Sequence, residues 1–130
     1  MPNFSVKSKR KLAEAHPDLQ LVFNEVIKIF DCSVLCGYRT EEEQDELFRQ
    51  GMSKVRYPDS KHNYQPSNAV DVAPYPIDWN DRERFYFFAG HVIGIAHSMG
   101  IKLRHGGDWD GDKDIKDQSF YDLPHFELVQ

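Results

Sequence analysis

Leu19, Val22, Phe23, Val26, Ile27 and Phe30 recur at three- and four-residue steps, the spacing of one face of an α-helix. Pro17 suits the first turn of that helix, because a proline there gives up no intrahelical hydrogen bond. A second stripe runs through Phe85, Phe88, Ala89, Val92, Ile93, Ala96 and Met99. Asn80 with Glu83 is expected to cap its start and Gly100 to close it. Between them, Thr40-Glu41-Glu42-Glu43 has the form of a capping box and opens a helix to about Gln50, stopped by Gly51. A shorter helical turn is expected around Ser8 to Ala15. Four short apolar runs read as strands: Ser33–Gly37, Ala69–Ala73, Ile101–Arg104 and Pro124–Val129. Helices and strands are interspersed, with no repeat and no low-complexity linker. The expectation is an α+β fold with a small, mainly antiparallel sheet flanked by helices.

At 130 residues the chain is read as one domain, 1–130, able to bury about two-thirds of its unfolded surface. Nine Phe, six Tyr and two Trp supply the core. No run of 18 apolar residues is present, so no membrane span is expected. The segment Met1-Pro2-Asn3-Phe4-Ser5-Val6-Lys7 lacks the apolar centre of a secretory signal. A formal charge of −5 argues against nucleic acid as a partner and gives no general attraction to an anionic surface. Cys32 and Cys36 sit too far apart on one strand to bridge, about 13 Å at the usual rise, and read as core thiols.

The chemistry lies in two distant stretches. His62 and Asp71 belong to one, His125 to the other. Two imidazoles and one carboxylate make a three-ligand set that leaves a fourth tetrahedral position for water, the arrangement of catalytic rather than structural zinc. Asp122, three residues before His125, is a carboxylate free to act as base toward that water, with Tyr121 and Glu127 as rivals. Strand alternation puts His125 and Glu127 on one face, so Glu127 is also placed to hold the second ring nitrogen of His125. His105 is the rival ligand; His16 reads as a helix cap, and His91 and His97 lie off the main apolar stripe. Asp108, Asp110, Asp112 and Asp114 fall at positions 1, 3, 5 and 7 of a calcium loop. Lys113 stands where such a loop needs Gly and Ser119 where it needs Glu, so calcium is carried beside a plain solvated loop.

These strings resemble the zinc peptidases that cleave peptidoglycan stem peptides, the D-Ala-D-Ala carboxypeptidase and L-Ala-D-Glu endopeptidase group, and most of all its small phage endolysins. The shared pattern is Ser60-x-His62, Ala69-x-Asp71 and Asp122-x-x-His125, with Gly37-Tyr38-Arg39-Thr40 upstream and Leu103 to Trp109 before the last motif. The resemblance implies a hedgehog-like fold and zinc held by His62, Asp71 and His125. It implies Asp122 as the general base, Arg39 facing the cleft as a catalytic and substrate-binding cation, Ser60 as a substrate contact, and Asp108 and Trp109 shaping the cleft floor. Family members place His and Asp seven apart; here they are nine apart, with Asn63 to Asn68 where a shorter turn is expected.

The implied function is hydrolysis of the L-Ala–D-Glu amide by a monomeric endolysin that waits in the host cytoplasm and meets peptidoglycan after release. D-Ala-D-Ala carboxypeptidase or dipeptidase activity stands as the alternative within the class. A zinc-stabilised binding module without turnover stands as the alternative outside it.

Overall fold

The first stripe does what its spacing predicts. Helix α2 (Pro17–Val26) buries Leu19, Val22, Phe23 and Val26 completely, and the α-helix ahead of it, α1 (Val6–Ala13), buries Leu12. His16 caps α2, its Nδ1 accepting the Asp18 N–H at 3.0 Å. The remaining elements of this computed structural model, which describes residues 2–118 and 120–129, are β1 (Cys32–Cys36), α3 (Glu41–Arg49), a 3-10 turn at Lys61–Asn63, β2 (Ala69–Pro74), α4 (Arg82–Ser98), β3 (Leu103–Gly106) and β4 (Asp122–Leu128). The four strands form one antiparallel sheet in the order β1-β2-β4-β3. The α+β expectation holds.

Alternation along β2 and β4 divides the sheet into two faces. Val70, Val72, Phe126 and Leu128 point into a core shared with α2 and α4. Phe126 is fully buried, edge-on to Phe23 at 5.5 Å and to Phe88 at 6.1 Å between ring centroids. Burying such a ring contributes about 1.5–3 kcal/mol, which anchors the strand behind whatever its other face carries. That other face carries Asp71 and His125, which lie directly opposite each other in the β2–β4 register. Cys36 lies opposite Asp71 on the β1 side, brought there by a bulge between Val34 and Cys36. The bulge turns Leu35 outward and lines up Cys36, Asp71 and His125 across three neighbouring strands.

Several boundaries differ from the sequence reading. Helix α4 is capped by Asp81, whose carboxylate accepts the Arg84 N–H at 3.2 Å; the Asn80 N–H is instead taken up by Asp78. Met99 falls past the helix end and is 37% exposed, so the buried stripe stops at Ala96. The third strand starts at Leu103 rather than Ile101, because the Ile101 N–H closes the helix terminus on the Ala96 carbonyl. The last strand begins at Asp122 rather than Pro124, which places Asp122 within it. The Thr40–Glu43 capping box is present as expected, and Gly51 and Gly100 both take positive φ at the helix ends.

The longer path between His62 and Asp71 is absorbed away from the sheet face. Ser67 donates its N–H to the Glu14 carbonyl at 3.0 Å and accepts the His16 N–H at 2.9 Å, which ties the loop to the corner between α1 and α2. The Asn68 N–H bonds the Lys61 carbonyl at 2.9 Å and closes the loop at its base.

Gly106 is where β3 passes closest to the start of β4. A Cβ on it would fall 1.9 Å from the Asp122 carbonyl oxygen and 2.7 Å from its carbon. Backbone cannot swing aside as a side-chain end can, so Gly106→Ala must displace Asp122. The expected result is a loss of about 1–3 kcal/mol in a denaturant melt, with activity falling further than stability alone explains; an unchanged melt would show that the crossing is looser than drawn.

Candidate metal centre

The three expected ligands arrive by two local devices, a capped turn and a pair of strands. Ser60 caps the short 3-10 turn, its hydroxyl accepting the His62 N–H at 3.2 Å, with Asn63 returning a side-chain acceptor to the Ser60 N–H at 3.1 Å. This bend turns His62 inward until it is 1% exposed. Asp71 and His125 come from the paired strands. His62 Nε2, Asp71 Oδ1 and His125 Nδ1 then form a nearly equilateral triangle with sides of 3.2, 3.3 and 3.3 Å. Nitrogen and oxygen donors bound tetrahedrally to zinc at 2.0–2.1 Å lie about 3.3–3.4 Å apart. The triangle has the size a metal of that kind requires.

The tautomers agree. His62 Nδ1 is 2.7 Å from the Gly37 carbonyl, and a carbonyl only accepts, so this nitrogen carries the proton and Nε2 offers its lone pair. His125 donates Nε2–H to Glu127 Oε1 at 2.8 Å, which leaves the Nδ1 lone pair toward the triangle. Two lone pairs and a carboxylate converging on one point repel each other unless a cation joins them. In the metal-free chain that cation is a proton. Burial works to lower the pKa of His62, but the charge and hydrogen bond of Asp71 outweigh it and hold the imidazole up at about 10. Burial works the other way on Asp71, yet the two histidines keep its carboxyl far below the usual range.

Asp122 stands just outside the triangle. Its Oδ2 lies 3.9 Å from His125 Nδ1, and its side chain is 37% exposed against 15% for Asp71. Burial and the nearby charge of Asp71 raise its pKa, against the pull of His125, His62 and Arg39. With Asp71 and His125 it also forms a group of side chains close enough to share a metal ion. Arg39 reaches the opposite side, its Nη2 3.4 Å from Asp71 Oδ2 and 3.8 Å from Cys36 Sγ.

A family model described as phage L-alanyl-D-glutamate peptidase matches residues 2–129. The chain belongs to that family. The L-alanyl-D-glutamate peptidase of Escherichia phage T5 is 34% identical over 134 residues, covering 97% of each chain. The peptidoglycan L-alanyl-D-glutamate endopeptidase CwlK of Bacillus subtilis (strain 168) is 28% identical over 117 residues, 78% of this chain and 63% of that protein. The crystal structure of the Serratia marcescens L-Ala D-Glu endopeptidase ChiX matches with a TM-score of 0.75 at 28% identity, covering 98% of this chain and 90% of that one.

Other expected residues of this phage L-alanyl-D-glutamate peptidase find different places. Ser60, expected as a substrate contact, is buried, and its hydroxyl accepts the His62 N–H that shapes the turn. His105 is no rival ligand: Nε2–H donates to the Leu123 carbonyl at 2.6 Å and Nδ1 accepts the Gly107 N–H at 3.1 Å. Both nitrogens are used, and burial lowers its pKa to about 4. The Tyr121 hydroxyl points away to the Ile115 carbonyl and is not placed as a base. Trp109 does stand at the site, its ring 5.3 Å from that of His125 and its Nε1–H bonded to the Phe120 carbonyl.

Of the acidic loop, Asp108, Asp110 and Asp112 come together, while Asp114 turns its carboxylate to the Lys116 N–H at 2.9 Å. Asp108, Asp110 and Asp112 each accept a backbone N–H too, Asp108 Oδ1 is buried without a hydrogen-bond partner among the described residues, and Ser119 lies outside the described residues. The expected calcium set of four is not assembled.

Sequence reasoning missed three participants. Cys32 is a core thiol, its pKa pushed up to about 12 by burial and by Asp31. Cys36 is not: its sulfur lies 3.7 Å from His62 Nδ1, and the bulge that put it there leaves no trace in the hydrophobic pattern. The Gly37 carbonyl and Gln44 also act at the site.

The Glu127 expectation is met in geometry. Burial would raise its pKa, but the hydrogen bond from His125 and the charges of His125, Arg104 and Lys61 lower it overall. Glu127→Gln is expected to weaken metal affinity about 10–100-fold in a chelator competition, while slowing the metal-saturated enzyme less. Unchanged affinity would reduce Glu127 to a packing role.

Proposed function

We propose that the chain is a zinc-dependent phage endolysin that hydrolyses the amide bond between L-Ala and D-Glu in peptidoglycan stem peptides, acting as a monomeric catalytic domain over residues 1–130. Support comes from one observation above the rest: two imidazoles of fixed tautomer and one carboxylate, spaced as tetrahedral zinc requires, beside a second carboxylate outside their triangle, in a chain of this peptidase family. His62, Asp71 and His125 would hold zinc, which would supply Lewis-acid polarisation of the scissile carbonyl and would lower the pKa of the attacking water. Asp122 takes the proton of the attacking water and delivers it to the leaving amine of D-Glu. Arg39, with five N–H donors to share, holds Asp71 and keeps donors for the carbonyl oxygen as it gains charge. Trp109 walls the His125 side.

Among the described residues no helix is long and apolar enough to cross a membrane. We place the protein in the host cytoplasm until another factor admits it to the wall. Mass spectrometry of purified peptidoglycan after digestion, with and without zinc, tests the reading. New L-Ala carboxyl and D-Glu amino ends that depend on zinc are expected. Release of terminal D-Ala would favour the carboxypeptidase alternative, and an intact wall would favour the binding module.

A further inference from the structure

Gln44 lies on the inner face of α3 and is 0% exposed, a long polar side chain enclosed by protein. Nothing in the proton-transfer chemistry uses it. A buried amide left without partners is costly, so its hydrogen bonds identify its work. Its Oε1 accepts Arg39 Nη1–H at 2.9 Å. Its Nε2 donates to Ser53 Oγ at 2.8 Å and to the Val55 carbonyl at 2.8 Å. Ser53 Oγ in turn meets the Val55 backbone, accepting its N–H at 3.3 Å and lying 3.1 Å from its carbonyl oxygen.

The amide thus joins the cleft cation to the loop that follows α3. The same loop reaches toward the other wall of the cleft: Lys54 Nζ lies 5.3 Å from the Phe120 ring centroid, and Phe120 stacks with Trp109, the ring beside His125. Among the described residues the other neutral partner of the guanidinium is Cys36, whose Sγ lies 3.8 Å from Nη2, a weak sulfur contact. The same guanidinium nitrogen faces Asp71 at 3.4 Å, a long contact that restrains direction weakly.

We propose that Gln44 is the positioning residue for Arg39: it fixes the plane of the guanidinium against the Ser53–Val55 loop, so that the free N–H groups stay aimed at the substrate carbonyl instead of collapsing onto Asp71. The inference rests on the function proposed above, since it assumes that Arg39 serves the substrate.

Gln44→Met keeps the length and apolar bulk of the side chain and removes all three polar contacts. In the zinc-loaded protein, kcat/KM on stem peptides is expected to fall about 10–100-fold, the scale of a misplaced positioning group, with zinc stoichiometry retained. In an Arg39→Met background the same change is expected to cost nothing further, because a residue that acts only through Arg39 has nothing left to act on. Equal losses in both backgrounds would overturn the proposal and make Gln44 a plain structural residue.

An activity-free reading comes from ¹⁵N NMR of the Arg39 guanidinium. Hindered rotation is expected in the wild type and free rotation in Gln44→Met; identical spectra would overturn the proposal even in a protein with no peptidase activity. Should Gln44→Met fail to fold, Ser53→Ala removes one anchor alone. It is expected to loosen the guanidinium partially, and an unchanged Arg39 spectrum in that variant would equally count against the clamp. A wild type inactive on stem peptides, with the spectra behaving as expected, would sink the function and leave the clamp standing.

Discussion

Asp122→Asn is expected to lower turnover by roughly 10²–10⁴-fold, the contribution of a well-placed general base, while fold and zinc content stay as they are. The amide is nearly isosteric but cannot accept a proton at neutral pH. The geometry supports a separation of roles between the two aspartates. Asp71 Oδ1 lies 3.3 Å from His125 Nδ1 and belongs to the triangle, whereas Asp122 Oδ2 lies 3.9 Å from the same nitrogen on the solvent side. In the metal-free chain burial and the charge of Asp71 raise the pKa of Asp122, against the pull of His125, His62 and Arg39. Metal analysis and turnover measured on one preparation decide the matter. Zinc lost together with activity would make Asp122 a ligand, and near-normal turnover would pass the role to another group. Glu127 is a poor candidate for it, being already committed to His125 and Arg104.

His62→Ala and His125→Ala are each expected to abolish zinc binding and activity together. Removing one corner leaves two donors, and the remaining lone pairs no longer define a tetrahedral face. The loss has a readout that needs no substrate. A ligand that binds only the folded state stabilises it by about 4 kcal/mol at a thousandfold excess over its dissociation constant, so added zinc should raise the melting temperature of the wild type and leave both variants unmoved. Protons compete for the same lone pairs, because Asp71 overcomes the effect of burial and holds His62 up at about 10 in the metal-free protein. Zinc affinity is therefore expected to fall as pH is lowered. Stoichiometric zinc in both variants would refute the triangle, and the carboxylates of Asp108, Asp110 and Asp112, a group that contains neither histidine, would be the next to test.

Much of the fold was legible because it obeys local rules. The α2 stripe, the Thr40–Glu43 capping box, the helix stops at Gly51 and Gly100, and the apolar strands all follow from spacing and backbone preference among near neighbours. Boundaries slipped where two local signals competed. Asn80 and Asp81 are both capable caps, and packing of α4 against the sheet and α2 selected the second. Likewise Ile101 could extend a strand or close a helix, and the hydrogen bond to Ala96 claimed it.

The chain by itself determined which side chains have metal chemistry and how they are spelled: His62 behind a capping serine, Asp71 alternating with two valines, His125 three residues after Asp122 and two before Glu127. Those are short-range relations, and the strand period alone aligns His125 with Glu127. Tertiary structure decided the rest. The register that sets Asp71 opposite His125, the bulge that brings Cys36 into the same row, and the carbonyl of Gly37 that selects the tautomer of His62 all join residues distant in sequence. So do the engagement of both nitrogens that removes His105 from contention and the burial of Gln44 against Arg39. Such relations depend on how strands pair and which groups are left to satisfy one another once water is excluded, and no local pattern encodes them.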